Sequence, residues 1–66
     1  MISQRDIFAT AQLLIKIHGA KAEDYAEKMM YRLMDKDDVK GGSVWLSISF
    51  AIDDLRQMKQ KTGKLH

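Results

Sequence analysis

Few side chains of this sequence carry reactive or ligating groups, and those few are scattered. His18 and His66 are its only imidazoles, so acid–base or metal work would fall to them first. They lie far apart, match no zinc-ligand spacing, and have no cysteine to complete a set. Placed just before Gly19, His18 reads as a partly buried ring at a helix C-terminus. Asp35, Asp37 and Asp38 have the acid density of a calcium loop. The fifth and sixth loop positions need an oxygen ligand and a glycine, and here they are Val39 and Lys40. Asp53 and Asp54 are adjacent in a helical stretch and diverge by about 100°, so they cannot converge on one substrate atom. Gly41-Gly42 lacks the preceding strand and the Gly-Lys-Ser/Thr ending of a phosphate loop. Trp45 could stack a ligand, but a lone tryptophan inside an apolar helical stripe belongs to a core. No nucleophile, base and stabiliser can be assembled. The sequence reads as a non-enzyme without metal or cofactor.

Composition narrows the class further. With 66 residues there is room for one domain and one small core. Domains of this size draw extra support from disulfides, metals or oligomerisation. Without cysteine or a metal-binding pattern, oligomerisation is the support left open. The 11 basic and 9 acidic residues nearly cancel to +2, which argues against a dedicated polyanion binder. No apolar run reaches the ~20 residues needed to span a bilayer. The N-terminus has charges of both signs and lacks the pattern of a signal peptide. A cytoplasmic protein is expected.

Helices are what would hold these residues in place. Proline is absent, and glycine at 19, 41, 42 and 63 divides the chain into three helical segments and a tail. The stretch from Gly41 to Met58 organises the rest. At about 100° per residue, Val44, Trp45, Ile48, Ala51, Ile52, Leu55 and Met58 share one face. The first helix begins with Ser3 as its cap and Asp6 three residues on. Ile7, Phe8, Ala11, Leu14, Ile15 and His18 form its stripe, and Gly19 is its stop. The second runs over about residues 21–36, with Glu23 and Asp24 in the first turn, where the dipole favours anions. Its stripe is Ala22, Tyr25, Ala26, Met29, Met30 and Leu33. For the third helix, Asp37 or Asp38 as N-cap gives a start near Val39. In a rival register Gly41-Gly42 is a turn and Ser43 the cap. The expectation is an all-α fold, a small three-helix bundle with the third helix longest. Residues 1–61 form a single helical domain, and 62–66 a flexible basic C-terminal tail.

The pattern His18-Gly19, Ala22, Ala26, then Asp38, Gly41, Val44-Trp45, Ile48, Ala51-Ile52 and Leu55 resembles a group of short uncharacterised alphaproteobacterial proteins. Written as spacing, it is HGxxAxxxA followed by DxxGxxVWxxIxxAIxxL. It covers most of residues 9–55 and consists mainly of core and turn positions. The group often has Gly-Asp before the third helix, where this chain has Asp37-Asp38. It often has small residues at the positions of Tyr25, Met29 and Met30. The resemblance implies a helical fold and carries no activity with it.

Two apolar sets fall outside the core stripes. Leu13 and Ile17 are one turn apart on the first helix, and Val39, Leu46 and Phe50 align on the third. Large apolar side chains left in water mark an interface. The expected function is therefore that of a small interaction protein, self-associating as a homodimer or binding another protein through these five residues. The alternative is a nucleic-acid-associated accessory protein using Arg56, Lys59, Lys61 and Lys64 against phosphates. The exposed side of the third helix, with Ser43, Leu46, Ser47 and Phe50, lacks the Arg, Asn or Gln that read base edges.

Overall fold

Ser3 starts the first helix as a cap, its Oγ accepting the Asp6 N–H at 3.2 Å. The computed structural model describes the backbone of residues 3–64 and the side chains of residues 3–58. Helix α1 spans Gln4–His18, a 3-10 turn spans Gly19–Lys21, α2 spans Ala22–Asp35 and α3 spans Val39–Lys64. The described fold is all-α, with α3 the longest helix at 26 residues.

Gly19 does not simply stop the first helix, as expected; it bends the chain into the second. Its φ of 59° and ψ of −127° redirect the backbone, while its N–H still donates to the Ile15 carbonyl. The Gly19 carbonyl accepts the Ala22 N–H across the 3-10 turn, and α2 follows without a break. In place of three separate helices, the chain forms two helical runs: α1 joined to α2 through the turn, then α3. The reason is local, since one glycine at positive φ reorients a helix without needing a loop.

The second reversal is a true break. The Asp38 N–H donates to the Leu33 carbonyl at 2.8 Å and the Asp37 N–H to the Met34 carbonyl at 3.0 Å. Asp37 has a φ of 60°. This is a Schellman ending, with Asp37 where glycine is commonest. Asp38 caps the next helix at once, its Oδ1 accepting the Gly41 N–H at 2.9 Å. The aspartate-capped register therefore holds, and the Ser43-capped one does not. A Cβ on Gly41 would lie 2.7 Å from Asp38 Oδ2, and one on Gly42 would lie 2.7 Å from Met34 Cε. The first glycine thus leaves room for the cap, and the second for the end of α2 against α3.

The core is built from Ile7, Ala11 and Leu14 of α1, Ala22 and Ala26 of α2, and Ile48, Ala51 and Ile52 of α3. Alanine at half of these positions lets the helices approach closely. Phe8, Ile15, Val44, Trp45 and Leu55 pack around the edge. Ile52, not Trp45, is the largest side chain fully removed from solvent. Met58, expected on the core stripe, is 63% exposed; at 100° per residue it lies about 100° from the middle of the Ile48–Ile52 face. The expected tail falls across the end of α3. Residues 62–64 continue α3, while 65–66, with the second imidazole, lie outside the described residues. A lone glycine at 63 weakens a helix by ~1 kcal/mol but does not forbid it.

Candidate functional site

His18, Glu23, Tyr25, Trp45 and Arg56 come together around the bend between α1 and α2. His18 ends α1 and stacks on Tyr25 of α2, with ring centroids 4.4 Å apart and planes 17° apart. Tyr25 meets Trp45 of α3 edge to face at 5.9 Å and 68°. One aromatic column therefore ties all three helices together. On the same bend, Arg56 of α3 donates from Nε to Glu23 Oε1 at 2.6 Å and from Nη2 to the Gly19 carbonyl at 2.7 Å. Its fork holds the carboxylate and the carbonyl of the bend together, as a planar guanidinium can.

An open groove of about 270 Å³ is lined by His18, Lys21, Asp24, Tyr25 and Lys28. A second, of about 200 Å³, is lined by Gln12, Ile15, Leu55 and Arg56. In the first groove the His18 ring is stacked on Tyr25. Among the described residues no group of three or more His, Asp or Glu could hold a metal ion. The bend is a structural joint with the means to hold helices in place.

The exposed apolar residues form a different surface. Leu13 is 54% exposed, Ile17 63%, Val39 63%, Leu46 37% and Phe50 62%. By helical phase, Val39, Leu46 and Phe50 lie on the side of α3 opposite Ile48 and Ile52. Because α3 meets α1 and α2 through Ile48 and Ile52, this strip faces away from both. Leu13 and Ile17 make a separate pair on α1. Tyr31 of α2 is also exposed, a position that the apolar stripes do not single out.

The basic candidates divide differently. Arg56 is engaged in the joint at the bend, which takes it out of the free basic surface. The side chains of Lys59, Lys61 and Lys64 lie outside the described residues. Grouping Arg56 with the tail misses its partners, which are 33 and 37 positions away. The available signal is its place on the flank of the α3 stripe, one turn beyond Ile52. No helix among the described residues is long and apolar enough to cross a membrane. No family model, curated protein or solved structure matches the chain.

Proposed function

We propose that this chain is a non-enzymatic helical interaction protein that self-associates, with the outer strip of α3 as its principal contact. The observation behind this reading is the exposure of Val39, Leu46 and Phe50 on a face that no described helix covers. Burying each such side chain contributes ~1.5–3 kcal/mol before the cost of association. A two-fold pair buries the strip of both copies at once. Leu13 and Ile17 offer a smaller second contact on α1. The nucleic-acid alternative is weakened by the engagement of Arg56 with Glu23 and the Gly19 carbonyl.

Sedimentation at several protein concentrations tests the proposal. The wild type is expected to be dimeric at micromolar concentration. The Leu46→Glu, Phe50→Glu double variant is expected to be monomeric, with its helical circular dichroism retained. A wild type that remains monomeric at hundreds of micromolar overturns self-association and assigns the strip to a different protein.

A further inference from the structure

The outer face of α3 repeats at alternating spacings of four and three: Val39, Ser43, Leu46, Phe50, Asp53, Gln57. That is the spacing of the seam between two paired helices. All six residues are exposed. We infer that a second copy of this chain docks on this face with its α3 antiparallel, centred between Leu46 and Phe50. The inference rests on the self-association proposed for the chain and adds its direction and register.

Charge decides the direction. In a parallel pair each seam residue meets its own copy, so Asp53 would face Asp53 beside an apolar contact. Like charges so placed disfavour that arrangement. In the antiparallel pair Leu46 faces Phe50 of the second copy, and Asp53 faces Ser43, whose hydroxyl can donate to the carboxylate. Asp53 also accepts a hydrogen bond from Gln57 Nε2 at 2.9 Å, so its charge at the end of the seam already has a donor. One flank of the seam carries Lys40, Ser47 and Asp54, all exposed. The antiparallel register sets Lys40 of each copy against Asp54 of the other, with the Ser47 residues meeting at the two-fold axis. Lys40 and Asp54 of one chain are about 21 Å apart along the helix and cannot pair with each other. Their complementarity is satisfied only between copies.

Two charge reversals, Lys40→Asp and Asp54→Lys, test the register. Both side chains are exposed, and an acid at position 40 suits the first turn of α3, so both variants should keep the wild-type circular dichroism spectrum. Each homodimer then opposes like charges at both contacts. Each variant should self-associate on the order of tenfold more weakly than wild type at low salt. An equimolar mixture should regain wild-type affinity, because every mixed pair restores opposite charges at both contacts. Single variants that associate like wild type, or a mixture no tighter than its components, overturn the antiparallel register while leaving self-association standing. A wild type that never dimerises overturns both.

Discussion

Gly19 and Asp37 both have positive φ, and their substitutions should shift stability in opposite directions. A Cβ on Gly19 would meet nothing within 4 Å, so Gly19→Ala costs backbone strain alone. That strain, at a conformation L-residues avoid, is about 1–3 kcal/mol. Asp37 carries a related penalty in the native protein, since its φ is 60°. Asp37→Gly should stabilise by up to about 1 kcal/mol, the relieved strain outweighing the added freedom of the unfolded chain. Denaturation midpoints at unchanged slope measure both effects. A Gly19→Ala variant as stable as wild type would show that the bend does not depend on glycine. Trp45 sits at the edge of the core rather than inside it. Trp45→Ala should therefore cost about 2–3 kcal/mol, below the range for a fully buried tryptophan.

Between the helices, Arg56 is the cross-tie that joins α3 to the α1–α2 bend. Its pair with Glu23 is about one-third exposed on both sides and on its own is worth only ~0.2–1 kcal/mol. Arg56 also satisfies the Gly19 carbonyl, so Arg56→Ala should destabilise more than Glu23→Ala, by about 1 kcal/mol. Arg56→Lys should behave like the alanine variant, because an ammonium cannot bridge both acceptors as the fork does. Equal losses for Arg56→Ala and Glu23→Ala would show the carbonyl bond to be inert. This tie is not legible in the sequence, because nothing local connects Arg56 to Glu23 or Gly19. Local signals are legible: the Ser3 and Asp38 caps, and the stripes that place Ile7, Ala11, Leu14, Ala22, Ala26, Ile48, Ala51 and Ile52. Gly19 is legible as punctuation but not as a bend, since stopping and turning use the same positive φ. Periodicity puts Met58 only at the rim of the core stripe, in phase with the exposed Lys40, and that rim is left in solvent. The exposed strip of α3 is readable for the same reason as the core: phase along a helix is set by residue number alone.

Surface and shape bear on the same question as the strip. The chain exposes 5312 Å², whereas a compact monomer of its mass exposes roughly 4,300 Å². Its radius of gyration is 12.7 Å with a longest extent of 46 Å, against about 10.8 Å expected for a compact domain of this length. With a core half made of alanine, the monomer has little burial with which to offset that exposure. Folding should then be linked to association, and stability should depend on protein concentration. For a folded dimer melting to unfolded chains, each tenfold rise in concentration adds about 1.4 kcal/mol per dimer. Shared between two small domains, that raises the melting temperature by roughly 3–6 °C. The wild type should show this rise between low and high micromolar concentrations. The Leu46→Glu, Phe50→Glu variant should melt at one temperature throughout, below the wild type. If the wild-type melting temperature is also independent of concentration, α3 is stabilised within the monomer, and its outer strip contributes nothing to the folding of this chain.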